Sequence, residues 1–102
     1  MQNKVKTFNE EILKNQPLSP QLRILDIQSE LGELSKEILK STNYGKQKFI
    51  VSNDFHLEFG DTLYSLICLA NETNIDMEKA LDDVLAKYKK RFEQKGNAGS
   101  GN

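Results

Sequence analysis

The chain has 102 residues, of which 37% are hydrophobic, and a formal net charge of -1. This length predicts one small domain, and the balanced charge argues against a protein that holds nucleic acid by bulk electrostatic attraction. No apolar run is long enough to span a membrane, no apolar signal segment stands at the N-terminus, and Cys68 is the single cysteine, so a reducing, cytoplasmic setting is expected.

Four helical segments are predicted along the chain, so the fold class is all-α. The first spans roughly residues 3–15, where Pro17 ends it, and its apolar side is formed by Val5, Phe8, Ile12 and Leu13. The second begins at Ser19-Pro20, a cap followed by proline at the first helical position, and continues to about Lys40. Its apolar residues repeat at the amphipathic spacings of three and four: Ile24, Ile27, Leu31, Leu34 and Ile38.

A polar linker of residues 41–53 follows, and its apolar stretch 49–51 is not predicted as a strand. The third helix runs from about Asp54 to Glu72, and Asn74 ends it. Asp76 is a suitable cap for the fourth helix, whose apolar residues are Met77, Ala80, Leu81, Val84, Leu85, Tyr88 and Phe92. A single domain of residues 1–95 and a flexible tail of residues 96–102 are therefore expected.

The second and third helices carry carboxylates in unusual positions. Glu30, Glu33 and Glu37 form a stripe beside the apolar stripe of the second helix, whereas purely solvating charges normally lie opposite. The third helix is apolar in nearly every direction, which is typical of a buried helix, yet it places Glu58 and Asp61 on one face. Burying unpaired carboxylates is costly and residues 51–72 contain no Lys or Arg, so a divalent cation is the better compensation.

A ligand set that consists only of oxygen atoms favours Mg²⁺, Mn²⁺ or Ca²⁺ over zinc. A Glu-x-x-Glu pair on a helix is common and usually belongs to a solvated face, whereas Glu-x-x-Asp inside an apolar helix is rarer. The two pairs on facing helices together predict a metal site, and such sites can hold two or more ions with substrate phosphates as further ligands.

Two motifs, Glu30-Leu-Gly-Glu33-Leu and Glu58-Phe-Gly-Asp61-Thr-Leu-Tyr, resemble those of the MazG-like nucleotide pyrophosphohydrolases, members of the all-α NTP pyrophosphohydrolase superfamily. The resemblance covers about residues 18–91. It implies a helical bundle completed by dimer or tetramer formation, with Mg²⁺ bound by the four acidic residues of the motifs. It also implies hydrolysis of a nucleoside triphosphate to the monophosphate and pyrophosphate. The expected biological role is house-cleaning of non-standard or excess nucleotides.

One position departs from the family pattern, because many relatives have a second glutamate where this chain has Ser29. Serine cannot replace a carboxylate as general base, so three alternatives stay open: Glu37 serves as the base, a metal-bound hydroxide serves instead, or activity is weak. A non-catalytic oligomer that binds metal or nucleotide in a regulatory role is the alternative function, and a purely structural interaction domain is a weaker one.

Several other residues are candidates for substrate contacts by the same resemblance. Lys87, Lys90 and Arg91 on the fourth helix would approach phosphates, although a solvated face is the equal alternative. Asn71 would contact the ligand near the end of the third helix. Tyr64 could stack on a base, but packing in the core with its hydroxyl satisfied is the more common role for such a residue.

Overall fold

The computed structural model describes residues 1–14 and 18–95, and within these ranges it contains four helices and no strand. The helices are α1 (Gln2–Glu11), α2 (Pro20–Ser41), α3 (Asn53–Glu72) and α4 (Met77–Lys95). The predicted all-α class is confirmed. In the described part of the chain, no helix has the length and apolar character needed to cross a membrane.

Short polar side chains determine where three of the helices begin or end. Ser19 and Ser52 each accept a hydrogen bond from the backbone N–H three residues later, at 3.3 and 3.0 Å, and Pro20 occupies the first turn of α2. Asp76 caps α4 in the same way at 3.2 Å, as predicted. Asn74 adopts a φ of 58°, a left-handed conformation that ends α3.

The first helix is shorter than its sequence pattern predicts. It ends at Glu11 rather than near residue 15. The N–H of Leu13 still donates to the carbonyl of Asn9 at 3.2 Å, but Lys14 has a φ of 57° and so cannot continue the helix. The predicted stop at Pro17 and the predicted tail of residues 96–102 lie outside the described residues.

The main packing contacts join α2 to α3, and α1 also packs against α3. The buried side chains concentrate in the second half of α3 and include Ser65, Ile67, Cys68 and Ala70. The first half of α3 is different, because Leu57 and Phe59 are 56% and 55% exposed. The apolar pattern predicts burial on all sides of α3, but in the single chain α1 and α2 cover one side only.

The molecule is extended for its length. Its radius of gyration is 17.0 Å, whereas a compact chain of this size would have about 13 Å. The fourth helix contributes to this shape, because it packs extensively against none of the other three. Its apolar residues Leu81, Leu85 and Phe92 are therefore more than half exposed.

Candidate metal centre and the adjoining cavity

Three carboxylates from α2 and α3 converge at the interface between these helices. Glu30, Glu58 and Asp61 each offer an oxygen, and the three oxygens lie within 4.8 Å of one another. Glu58 and Asp61 share a face of α3 because they are three residues apart, and packing of α2 against α3 brings Glu30 to that face. The structure thus brings together three of the four predicted metal ligands.

The electrostatics of this carboxylate cluster favour a bound cation. Burial is the largest cause that raises the pKa of Glu30, and the negative charge of Asp61 adds to it. The pKa of Glu58 is raised by burial first and then by Asp61 and Glu33. Since α3 has no Lys or Arg, it supplies no positive charge to offset this repulsion. A divalent cation would offset it and favour the ionised carboxylates.

Glu33 and Glu37 continue the α2 stripe on one side of the cluster. Glu33 lies outside the group of three converging oxygens, and its Oε1 is 3.8 Å from Nζ of Lys36. The Glu37 side chain is 16% exposed and its Oε1 is 3.3 Å from Nζ of Lys40. Both glutamates are close enough to raise the pKa of Glu58. Their assignments, Glu33 as a ligand and Glu37 as the base, stay predictions.

On the other side of the cluster the stripe continues through Asp26 to Arg23, which the sequence analysis did not single out. Asp26 Oδ2 accepts a hydrogen bond from the buried Ser65 hydroxyl at 2.7 Å. Arg23 contacts Asp26 at 3.4 Å and Glu72 at 3.1 Å. Burial lowers the pKa of Arg23, but the hydrogen bond to Glu72 and nearby negative charges raise it more. Their spacing in the sequence could have identified both residues, because residues 23, 26, 30, 33 and 37 share one helical face.

A cavity of about 780 Å³ lies beyond these residues, bounded by α1, the second half of α3 and the start of α4. Arg23, Tyr64 and Cys68 line it on the side of the carboxylates, and Asn9 lines it from α1. Tyr64 follows Asp61 by three residues, so the cavity begins about one helical turn from the carboxylate cluster.

At the far end of the cavity, hydrogen bonds join α1 to α3 and to the α3–α4 turn. Gln2 Nε2 donates to Asn71 Oδ1 at 3.0 Å and to the carbonyl of Ile75 at 2.7 Å. Gln2 Oε1 accepts from the N–H of Met77 at 2.8 Å, and Asn71 Nδ2 donates to the Gln2 carbonyl at 3.3 Å. Asn71 therefore ties α3 to α1, and its predicted ligand contact stays a prediction.

The predicted phosphate-binding residues lie on α4. Lys87 and Lys90 are exposed, and Lys87 Nζ lies 5.6 Å from the centroid of the Tyr88 ring. Neither lysine forms an ion pair within the described residues. Arg91 is half-buried. Because α4 packs extensively against no other helix, the packing within one chain does not hold it against the carboxylate cluster.

Comparison with known proteins identifies relatives of this chain. A model of the MazG nucleotide pyrophosphohydrolase domain matches residues 18–95, which include α2, α3 and α4. The uncharacterised protein YpjD of Bacillus subtilis (strain 168) is 38% identical over 76 residues, covering 72% of this chain and 67% of that protein.

Two solved structures are similar to this one. The crystal structure of the Bacillus-conserved MazG protein, a nucleotide pyrophosphohydrolase, aligns with a TM-score of 0.71 and 32% identity over 86% of this chain and 84% of that one. The crystal structure of YPJD from Bacillus subtilis aligns with a TM-score of 0.72 and 34% identity, covering 88% and 90% respectively. The part of the chain that carries the carboxylates is therefore similar to known proteins in both sequence and structure.

Proposed function

The chain belongs to the MazG nucleotide pyrophosphohydrolase family, and from this premise we propose that it uses Mg²⁺ to hydrolyse a nucleoside triphosphate to the monophosphate and pyrophosphate. The observation that carries the proposal is the convergence of Glu30, Glu58 and Asp61 within 4.8 Å. Mn²⁺ is a suitable replacement, because it also prefers oxygen ligands.

The donor set fits such an ion. Glu30, Glu58 and Asp61 supply oxygen ligands, and Glu33, the next acidic residue along α2, is proposed as the fourth. When bound, the ion supplies positive charge that neutralises the phosphates and polarises water. The four carboxylates hold the ion and set the position of the triphosphate along the α2–α3 interface.

Glu37 is the residue that we assign to accept a proton from the attacking water. Its side chain is 16% exposed and it lies on the same face of α2 as Glu30 and Glu33. Ser29 is exposed and carries no carboxylate, so it cannot take this role. Lys87, Lys90, Arg91 and Asn71 stay candidates for contacts with the substrate.

A homodimer or homotetramer is proposed as the working form. Large apolar side chains are exposed on every helix of the single chain, including Phe8 at 46%, Leu25 at 59%, Phe59 at 55% and Phe92 at 59%. Exposed apolar surface of this extent marks an interaction site. House-cleaning of the nucleotide pool in the cytoplasm is the role that we propose for the enzyme.

The test is product analysis with purified protein. Each common NTP and dNTP is incubated with the protein and Mg²⁺, with a parallel reaction in EDTA, and the products are separated by ion-exchange chromatography. Monophosphate and pyrophosphate that form only with the metal are expected. Release of single phosphates, or no turnover of any nucleotide, would contradict the proposal.

Ser29 supports a second candidate function, because the chain lacks a glutamate at that position. The protein would then bind metal and nucleotide in a regulatory role without turnover. Thermal unfolding separates the two functions: stabilisation by nucleotide and Mg²⁺ without any hydrolysis indicates the regulatory role.

A further inference from the structure

We propose that the cavity between α1 and α3 holds the nucleoside half of the substrate and that the carboxamide of Asn9 recognises the base. The inference rests on the proposed function, in which the triphosphate lies on the carboxylate cluster. It assigns base recognition to α1, a helix that lies outside the part of the chain matched by the family model.

The position and size of the cavity suit a nucleoside. Asp61 belongs to the carboxylate cluster, and Cys68, which lines the cavity, follows it by two helical turns or about 10 Å along α3. The sugar and base of a nucleotide whose triphosphate lies on the cluster can therefore reach the cavity. The volume of about 780 Å³ falls within the range of about 300–1,000 Å³ that is usual for small-molecule sites.

Asn9 has hydrogen-bonding capacity that the protein does not use. Its Oδ1 accepts from the Tyr64 hydroxyl at 2.6 Å, and its Nδ2 lies 3.5 Å from Sγ of Cys68, a weak acceptor. A carboxamide offers two N–H donors and two acceptor lone pairs. One donor and one lone pair of Asn9 therefore have no protein partner among the described residues.

The orientation of this amide is fixed by Tyr64. Burial is the largest cause that raises the pKa of Tyr64 to about 12, so its hydroxyl keeps its proton and donates to Asn9. The ring of Phe8 packs edge-on against the Tyr64 ring, with 6.3 Å between centroids. With Oδ1 bonded to Tyr64 and Nδ2 near Cys68, the second N–H of the amide and the second lone pair of Oδ1 stay available to a ligand.

The amides at the far end of the cavity are different. Gln2 and Asn71 bond to each other, and Gln2 also bonds to backbone groups of Ile75 and Met77. They are therefore suited to holding α1 in place, whereas Asn9 lies beside Tyr64, on the side nearer the carboxylates.

The chemistry of a carboxamide matches a base edge. Each common base presents a donor next to an acceptor, and asparagine can bond to both. A carboxylate in the same place would present two acceptors, and guanine alone has two adjacent donors, N1–H and N2–H, on its Watson–Crick edge. A change from Asn9 to aspartate should therefore alter base preference in a predictable direction.

The experiment compares kcat/KM for dATP, dGTP, dCTP and dTTP between the wild type and Asn9→Asp in the presence of Mg²⁺. The expected result is a rise of about tenfold in the preference for dGTP over the other three, the size expected for one hydrogen bond to the base. Thr7→Asp is the matched control, because it adds the same charge to an exposed position of α1. Its preference among the four should equal that of the wild type.

A loss of folded protein does not obscure the result, since the ratio between substrates is independent of the active fraction. Equal loss with all four nucleotides, or an unchanged ratio, shows that Asn9 only supports the fold and overturns the inference. Calorimetric binding of the same nucleotides with Ca²⁺ provides a second measurement. If nucleotides bind with a base preference that depends on Asn9 but no pyrophosphate is released, the proposed function is contradicted and the inference stands. If no nucleotide binds, the inference is overturned.

Discussion

Glu30, Glu58 and Asp61 repel one another because they converge from two helices and α3 supplies no positive charge. This arrangement costs stability unless a cation is bound, so the side chains that we propose as metal ligands should destabilise the metal-free protein. Neutralising one carboxylate should therefore weaken metal binding and raise the stability of the metal-free protein.

The first prediction concerns Asp61→Asn. Activity should fall at least about 100-fold, because a charged ligand at the reacting phosphates is lost. The metal-free melting temperature should stay the same or rise. Steady-state kinetics and thermal unfolding in EDTA measure the two effects. The control is Asp83→Asn, an exposed carboxylate on α4 that pairs with Lys79, and it should leave activity unchanged. Full activity of Asp61→Asn would exclude that residue as a ligand.

The second prediction follows from the raised pKa values of Glu30 and Glu58. Their ordinary value is 4.5, and both are raised in the folded protein, by burial first and then by nearby carboxylates. Between the unfolded and folded pKa values the folded state binds more protons, so raising the pH through this window reduces the stability of the metal-free protein. Above the folded pKa values, the stability that these protonated carboxylates contribute is lost completely.

The measurement is the melting temperature in EDTA across a pH series, for the wild type and Glu58→Gln. The wild type should lose stability relative to the variant as the pH rises above 4.5. Saturating Mg²⁺ should restore the wild type most strongly at high pH. A difference between wild type and variant that does not change with pH would contradict the coupling of these carboxylates.

The third prediction tests Glu37 as the base. Glu37→Gln should reduce kcat by a factor of about 10²–10⁴, the usual contribution of a general base, with little change in nucleotide affinity. Wild-type kcat in the variant would instead favour a water activated by the metal, the alternative that the sequence leaves open.

At the scale of the helices, α1 is held on α3 by polar contacts more than by its apolar side. Gln2 alone makes three hydrogen bonds to residues near the end of α3 and the start of α4. The predicted apolar side of α1 is largely exposed, with Phe8 at 46% and Ile12 at 60%. The position of α1, and with it one wall of the cavity, therefore depends on a few hydrogen bonds.

The fourth prediction is that Gln2→Ala lowers the free energy of unfolding by about 1–3 kcal/mol, since its partners on α3 and α4 lose their bonds. Urea unfolding followed by circular dichroism measures this change. Gln28→Ala, at an exposed position of α2, should have a much smaller effect. Equal effects of the two substitutions would show that the Gln2 bonds contribute no net stability.

At the scale of the whole molecule, α4 exposes apolar side chains that a partner surface would cover. Leu81 and Leu85 are each 54% exposed, and the radius of gyration of 17.0 Å reflects an extended chain. Burying such residues against another copy would contribute about 25 cal/mol per Å² of apolar surface. This is the physical basis for the proposed dimer or tetramer.

The fifth prediction is that Leu85→Glu shifts the protein toward a monomer of 11.6 kDa in sedimentation velocity. A charge placed in an apolar interface is not compensated, so association weakens. Asp83→Lys changes an exposed position on the opposite face of the same helix and should leave the oligomer intact. A wild type that sediments as a monomer would contradict the proposed assembly, whichever way the variants behave.

The sequence by itself determined the helices and the faces of their carboxylates. Periodicity, the caps at Ser19 and Asp76 and the stop at Asn74 are local signals, because each depends on residues within one or two helical turns. The motifs around Glu30 and Asp61 also identified the family. The same reasoning could not tell that Glu33 lies outside the cluster, because the rotation and depth of packed helices depend on contacts between them.

Only the tertiary structure decided where α1 lies and which residues line the cavity. The bonds from Asn9 to Tyr64 and Cys68 join residues 55 and 59 positions apart, and no local pattern predicts such pairs. The left-handed Lys14 also ended α1 earlier than its apolar spacing indicates. Local sequence determines which helices form and which side chains share a face, whereas the pairing of distant faces is decided by packing of the whole chain.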